Sequence, residues 1–468
     1  MRFTRYRFIS FYILILFTLI AALIWLIIAP TQPTDSITVP SLYISLNDTT
    51  LTEIENNHKD YKYPGNSLSL ITKNDTFTYS NVEIKLRGNS TWGMPKNPFQ
   101  IKFSSRTSLL DMSSAKKWIL LANFLDKSNL RSAAAFYLEY MLNDPYAIEG
   151  EFVELYIDNE YHGLYYLTEK VEVGQGRVKL TDPFGIIAEI ENLHSAEENC
   201  YRSIYDTCLV VHDLVANANE SDAMSSFLKS YNQLEVAAKE HDYDAVKTLI
   251  DLESFARYYL LSEFSVNPDA YTSSCFLYKD GASDIIHAGP GWDFDLAFGN
   301  HIWMWPRTAD YYLPETDDVM KKYAFGGLVY DEATHESTTI SADPSIAKLF
   351  YWLSDIPEFQ ELTRDLYRKT LLGRKTELMS HLTMISDTIY EAALRDKEYW
   401  RNTDTDLYAI FGIHYDPNDE STDIIHSALP ATTAYDLELS SLFDWLERRF
   451  DALDRKYGSI DNTIIKVI

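Results

Sequence analysis

Two aspartates placed two residues apart are the strongest candidates for metal chemistry in this sequence. Asp293 and Asp295 lie in the segment Gly289–Asn300, among glycines and aromatic residues and directly after a predicted strand at 285–288. Side chains two positions apart on a strand point the same way. Paired hard oxygen ligands suit Mg²⁺ or Mn²⁺ carrying a phosphate ligand. The alternative is a chance pair, in which one aspartate caps the next element and the other is solvated.

A third aspartate extends this pattern upstream. Asp269 follows a long apolar helix predicted over 243–263 and precedes the strand pair that leads to Asp293. An acidic residue after a helix, followed by a strand pair and a metal-type aspartate, is the layout of a phosphotransferase catalytic loop. An ordinary Asn-Pro-Asp turn at 267–269 is the structural alternative.

Cations flank a turn-rich loop near the other end of the chain. Arg87 and Ser90 belong to the Arg-Gly-Asn-Ser segment that begins this loop, and Lys96 and Lys102 follow it. Glycine lets backbone N–H groups approach a phosphate, and cations neutralise its charge. On its own, however, this pattern is equally typical of a plain hairpin.

The elements that must position these residues change character along the chain. Alternating apolar and polar residues over 82–86 and 99–103 predict half-buried strands, and 152–168 predicts a hairpin. From about residue 222 the spacing becomes helical, most clearly over 346–397 and 434–457. A β-rich region followed by an α-rich region predicts an α+β fold with two lobes and a cleft.

The predicted division of the chain follows from this change and from the N-terminus. The predicted units are a cytoplasmic stub and transmembrane anchor at 1–30, a linker at 31–40, a β-rich N-terminal lobe at 41–190, and a mainly helical C-terminal lobe at 191–468 with a surface insertion at about 300–341.

Composition excludes several classes of protein. With 46% hydrophobic residues in 468, the chain can bury a large core, so wholesale disorder is excluded. A net charge of −28 makes non-specific nucleic-acid binding unfavourable, because the phosphate backbone repels it. Three cysteines exclude a dense disulfide scaffold and a four-thiolate zinc site. Cys200 and Cys208 are close enough in sequence for a local disulfide, although two free thiols fit the sequence equally well.

The N-terminus predicts a single-pass membrane anchor. Residues 8–29 carry no charge and as a helix would span about 33 Å, enough for a hydrocarbon core of about 30 Å. Arg2, Arg5 and Arg7 precede this span, so the positive-inside rule keeps the N-terminus cytoplasmic and places the rest outside. A cleavable signal peptide is the alternative.

Taken together, these motifs resemble one family, the CotH (spore coat protein H) kinases, over about residues 40–455. No single motif carries the resemblance, which depends on their joint order and spacing. The matching segments are 87–92, Lys96, 101–103, Trp118, 126–131, 154–156, 161–169, 267–269, 276–280 and 289–295.

The resemblance implies a two-lobed atypical protein kinase that binds ATP and Mg²⁺ or Mn²⁺ in its cleft. Asp269 would accept the proton of the substrate hydroxyl, and Asp293, assisted by Asp295, would bind the metal. Ser274 would be a further metal ligand near the place where an ordinary kinase loop has asparagine. The nucleotide-binding residues implied are Arg87, Ser90, Lys96 and Lys102 for the phosphates and Glu169 and Trp292 near the adenine, with Glu169 otherwise the partner of a cation.

We therefore expect a membrane-anchored, extracytoplasmic kinase that phosphorylates Ser or Thr hydroxyls of proteins. The acidic chain predicts basic substrates. One alternative is a non-catalytic coat or surface scaffold that keeps the fold. Another is a different metal-dependent transferase that uses a nucleotide, such as a sugar nucleotide bound through Asp293 and Asp295.

Overall fold

The computed structural model describes residues 38–88, 91–192, 199–267, 269–300, 328–331, 336–339, 348–401 and 430–458. Seven strands in its N-terminal part close into a barrel in the order β1-β2-β3-β4-β5-β7-β6. Neighbours are antiparallel except β1 and β6, which close the barrel in parallel. These strands are β1 (Ser41–Ser45), β2 (Tyr63–Ile71), β3 (Thr76–Leu86), β4 (Phe99–Thr107), β5 (Ala115–Leu121), β6 (Gly150–Ile157) and β7 (Glu160–Glu169).

The alternation read from the sequence sets the two faces of this barrel. Val82, Ile84 and Leu86 of β3 point inward and pack with Ile101 of β4 in the barrel core, as their spacing predicts. Intervening positions on these strands, such as Lys102, point outward. Because the period of a strand is two, the register between strands also decides which outward side chains become neighbours.

A second, five-stranded sheet follows, with the order β12-β11-β8-β10-β9. The predicted boundary at residue 190 places β8 with the barrel strands, whereas β8 pairs antiparallel with both β10 and β11. The strands are β8 (Ile186–Ile190), β9 (Tyr201–Arg202), β10 (Cys208–Leu214), β11 (Cys275–Lys279) and β12 (His287–Ala288). Within the predicted insertion at 300–341, the described residues form the two-stranded pair β13 (Leu328–Asp331) and β14 (Glu336–Thr339).

Helices dominate the C-terminal part of the described chain, so the predicted α+β class is confirmed. The helices are α1 (Leu51–Asn56), α2 (Arg131–Met141), α3 (Glu220–Lys239), α4 (Tyr243–Leu249), α5 (Leu252–Ser265), α6 (Lys348–Ser354), α7 (Pro357–Thr370), α8 (Lys375–Tyr399) and α9 (Ala431–Gly458). None of these described helices has the length and apolarity to cross a membrane, and the predicted span at 8–29 lies outside the described residues.

Local chemistry divides two segments that the sequence predicts as continuous helices. The segment 243–263 breaks at Ile250, which is extended and bridges to Ile286, while the Asp251 side chain caps α5 by accepting the Ser254 N–H. The segment 346–397 breaks where Pro357 starts α7, and again at Gly373, whose φ of 73° favours glycine.

The barrel and the helical part share one hydrophobic core. Ile119 of β5, Phe152 of β6 and Tyr166 of β7 point out of the barrel and pack in the same cluster as α2, α5 and the second sheet. This shared core fixes the outer faces of β5, β6 and β7 relative to the second sheet. The segment from Lys170 to 185 is the connection between the two.

Candidate functional site

Two loops from the second sheet and α5 bring the predicted carboxylates together. The Asn267 side chain donates to the backbone oxygen of Asp293 at 3.0 Å, and its Oδ1 accepts the Asp269 N–H at 3.2 Å. The Ser274 hydroxyl donates to Asp293 Oδ2 at 3.2 Å. The loop after α5 and the loop after β12 are therefore joined at the residues that the sequence singles out.

Asp293 and Ser274 both have left-handed backbone conformations, with φ of 65° and 51°. This region is uncommon for residues other than glycine, although Asp visits it more than most. Such conformations persist where surrounding contacts hold them, and they are concentrated at functional sites. Here the Ser274–Asp293 hydrogen bond and the Asn267 contact supply that support.

Asp295 lies close enough to the other carboxylates for their charges to affect it. Burial raises the pKa of Asp295 well above its usual range, and the charges of Asp293, Asp269 and Asp126 raise it further. Carboxylates that repel one another in this way favour a cation between them.

The donor set fits a divalent metal of the magnesium type. Mg²⁺ commonly takes one or two protein carboxylates and completes its shell with water and phosphate oxygens. Asp293 and Asp295 could supply those carboxylates, and Ser274 a hydroxyl. Among the described residues no group of three or more His, Cys, Asp or Glu side chains is arranged to hold a metal by itself.

A buried ion pair at the start of helix α2 is linked to the loop that carries Asp295. Asp126 Oδ1 lies 2.6 Å from Arg131 Nη1, and Asp126 Oδ2 accepts the Arg131 N–H at 2.8 Å. The N-cap of this helix is Leu130, which forms no side-chain capping bond, and Asp126 accepts the first helical N–H instead. Asn300 then ties this segment to the loop, because its side chain donates to Leu125 O and Asp295 O.

Cations lie on the outer face of the barrel, on the side of the carboxylate loops. Arg87 follows β3, and its guanidinium lies 5.1 Å from the centre of the Trp292 ring. Burial lowers the pKa of Arg87, and the charges of Asp293 and Glu189 act against that shift. Arg87 therefore connects the barrel to the carboxylate loops. Lys102 on β4 lies on the same outer face, opposite Lys117 of β5.

Lys170 lies at the start of the connection that leaves β7. Its ammonium donates to Val171 O at 2.9 Å and lies 3.4 Å from His212 Nε2. Burial lowers the pKa of Lys170 to about 8, and the charges of Lys117 and Arg87 contribute in the same direction. The other ring nitrogen of His212 lies 3.0 Å from Glu189 Oε2.

Helix α2 also contacts the Asp293 loop. Glu139 Oε1 accepts the Gly291 N–H at 2.6 Å. Burial and the charge of Asp144 raise the pKa of Glu139 well above its usual range, although the Gly291 and Ile148 N–H groups act against this. Glu139 thus connects the helix to the backbone two residues before Asp293.

Three predicted nucleotide-binding residues have other partners in the structure. Lys96 is buried, and its ammonium lies 2.7 Å from Asp396 Oδ1 and 2.6 Å from Leu164 O. Glu169 forms an ion pair with Arg177, which is the cation-partner alternative stated for it above.

Trp292 is also buried and packs against Phe136 and Arg87, so its ring has protein neighbours where the resemblance implies adenine. Ser90, another of the predicted nucleotide-binding residues, lies outside the described residues.

Sequence reasoning missed the residues that become neighbours only through the register of the sheets. Strand pairing brings Lys117 and Lys170 into one row with Lys102, and His212 meets Glu189 across the second sheet. The signal present in the sequence for Lys117 is its place directly before Trp118, one of the positions that carry the resemblance. No local pattern marks Glu139 within its helix.

The geometry defines an α+β protein in which a loop of carboxylates lies within range of charge interaction with Arg87, the cation that follows β3. A family model described as CotH kinase protein matches residues 84–453. Because this match covers well over half of the 468 residues, the chain belongs to the CotH kinase family, and the predicted resemblance is confirmed. A search of curated proteins found no match.

Proposed function

We propose that this protein is a kinase that transfers the γ-phosphate of ATP to Ser or Thr hydroxyls of a protein substrate. The observation that carries the proposal is that Asp269, Asp293 and Asp295 lie together, with Arg87 near enough to Asp293 for their charges to interact. Family membership supports kinase-like chemistry, while the substrate, the nucleotide and the metal are our inference.

The chemistry asked of these residues is positioning and charge neutralisation. Asp269 orients the acceptor hydroxyl and takes its proton. Asp293 and Asp295, with Ser274, would hold Mg²⁺ or Mn²⁺, which when bound neutralises charge on the β- and γ-phosphates. Arg87 and Lys102 offset the remaining phosphate charge from the barrel side. We leave Lys96, Glu169 and Trp292 out of the nucleotide site, because each has a protein partner.

Phosphate transfer from labelled ATP to a basic Ser/Thr peptide, with Mg²⁺ and with Mn²⁺, tests this proposal. Asp269→Asn and Asp293→Asn should each lower the rate by roughly 10²-fold or more. Asp244→Asn, which removes an exposed carboxylate paired only with Lys247, is the matched control and should retain the rate. Transfer that is undiminished in both cleft variants would overturn the proposal.

Two other outcomes of these experiments would favour a different function. A folded protein that transfers no phosphate and gains no stability from any nucleotide would favour the scaffold function. Stabilisation by a UDP-sugar without stabilisation by ATP would favour a glycosyltransferase. An acidic peptide phosphorylated as well as a basic one would contradict only the expected preference for basic substrates.

We also propose an extracytoplasmic location. The anchor predicted at 8–29 supports it, and so does the disulfide between Cys200 and Cys208, since disulfides persist mainly in oxidising compartments. Labelling of denatured, unreduced protein isolated from cells should modify Cys275 alone among the three cysteines. Labelling of all three would contradict the oxidised pair.

A further inference from the structure

Strand register lines up three lysines on the outer wall of the barrel. Lys102 of β4 is the ladder partner of Lys117 of β5. Trp118 pairs with Glu169 on the next strand, so the position that follows opposite Lys117 is Lys170. Since Ile101 and Trp118 point into the barrel core, these lysines point outward. We call Lys102, Lys117 and Lys170 the lysine row.

Like charges that face each other across strands are destabilising, so such a row needs an explanation. Lys170 shows the cost directly, because burial, Lys117 and Arg87 together lower its pKa to about 8. Acidic neighbours border the row. Glu172 pairs with Lys117 at 3.2 Å, and Glu83 is the ladder partner of Lys102 on its other side.

On the opposite side, the second sheet presents Asp213, His212 and Glu189 to the Lys170 end of the row. The charges of Asp213 and Glu172 raise the pKa of Lys170, yet it remains about 8. Asp213 accepts the Val173 N–H at 2.8 Å, and Glu189 contacts His212, so both carboxylates already have hydrogen-bond partners other than Lys170. An anionic ligand would therefore relieve repulsion that the protein leaves in place.

We propose that the lysine row is the binding site for the phosphate chain of the nucleotide, with Lys117 and Lys170 as phosphate-binding residues. Arg87 lies close enough for its charge to act on both Lys170 and Asp293, so one cation links the Lys170 end of the row to the carboxylate loop. Several ammonium groups on one face favour the ligand with the most phosphate charge, so we expect three phosphates to bind more tightly than one or two. The nucleotide identity rests on the proposed function, whereas the anion site does not.

Inorganic tripolyphosphate is the probe that isolates this site from adenine and from phosphate transfer. Its affinity for the full chain is measured by calorimetry, beside pyrophosphate and phosphate. We expect tripolyphosphate to bind tightest. Lys117→Met and Lys170→Met should each weaken it by about tenfold or more, because a charge-assisted contact is lost. Lys116→Met, next to Lys117 but exposed, is the control and should bind as the wild type does.

The pH dependence gives a second test. A bound anion favours the charged form of Lys170, so wild-type affinity should fall as the pH rises above about 8. Lys170→Arg should keep the affinity and lose this fall, because an arginine stays charged. An affinity that falls equally in Lys170→Arg would exclude Lys170 as the titrating contact.

The failure of this proposal can be distinguished from the failure of the proposed function. Asp269→Asn should bind tripolyphosphate like the wild type even though phosphate transfer is lost. No binding of tripolyphosphate to the wild type, or equal binding by Lys116→Met, Lys117→Met and Lys170→Met, would overturn the lysine row as an anion site. Tripolyphosphate that binds more tightly than ATP would overturn the assignment to a nucleotide.

Discussion

The two walls of the candidate site carry opposite charges, and different kinds of structure hold these charged side chains in place. The carboxylate wall is made of loops, in which Asp269 donates its N–H to Asn267 and Asp293 accepts hydrogen bonds from Asn267 and Ser274. The cationic wall is made of paired strands, so the spacing of Lys102 and Lys117 is set by the sheet itself. A loop wall can adjust to a metal, while a strand wall offers a fixed spacing to a chain of phosphates.

The two walls have one property in common: each holds side chains of like charge close together. The pKa of Asp295 is raised and that of Lys170 is lowered, and in both cases burial is the larger cause and like charges add to it. Preorganised charges of this kind lower the stability of the ligand-free protein. A complementary ligand restores that stability when it binds. A metal together with a nucleotide is complementary to both walls at once.

The largest expected effect comes from releasing the contact that holds the barrel loop to α8. Lys96→Met leaves Asp396 buried without its cation, which should lower the free energy of unfolding by about 3–5 kcal/mol. The double variant Lys96→Met, Asp396→Leu should recover most of that loss. Denaturant unfolding followed by circular dichroism measures both, and a loss below about 1 kcal/mol in the single variant would contradict a structural role for this pair.

A smaller effect is expected where α2 supports the carboxylate wall. Glu139→Ala leaves the Gly291 N–H without its acceptor, at a cost of about 1–3 kcal/mol, and should weaken Mg²⁺ binding through the displaced Asp293. Glu139→Gln keeps an acceptor oxygen and should behave almost like the wild type. Unfolding and Mg²⁺ titration test the pair; equal behaviour of Ala and Gln would show that the hydrogen bond does not position the loop.

The smallest effect has the opposite sign and lies on the cationic wall. The pKa of Lys170 is about 8 in the folded protein and about 10.4 when unfolded. Between these values the unfolded chain binds more protons, so the penalty is full below pH 8 and disappears above about pH 10.4.

Lys170→Met should therefore stabilise the protein at pH 7 by about 1 kcal/mol, a value reduced because the side chain is partly exposed to solvent. At pH 10.5 the difference from the wild type should vanish. Unfolding at the two pH values measures it, and a variant less stable than the wild type at pH 7 would show that Lys170 supports the fold.

Local patterns predicted many of the elements and singled out the aspartates that the structure brings together. The period of two placed Ile84 and Ile101 in the barrel core, and the spacing of Asp293 and Asp295 after a short strand marked the carboxylate loop. Helix ends were harder, since the break at Ile250 depends on a bridge to Ile286, which is distant in sequence.

The cationic half of the site could be predicted only in part. Lys102 and Arg87 stand out beside a glycine-containing loop, but Lys117 and Lys170 become neighbours through register, which no short segment encodes. The partner of Lys96 could not be predicted for a related reason. Its partner, Asp396, comes from a helix that follows about three hundred residues later in the chain.

If both walls act on one ligand, their contributions to the affinity for Mg²⁺-ATP are coupled, and a double-mutant cycle measures this coupling. The cycle combines Asp293→Asn with Lys117→Met. If metal and phosphates bind as one unit, losing either wall weakens the other contact, and the two losses should fall short of additivity by about 0.5–3 kcal/mol. Losses that add within about 0.5 kcal/mol, or an affinity unchanged by either substitution, would contradict the account.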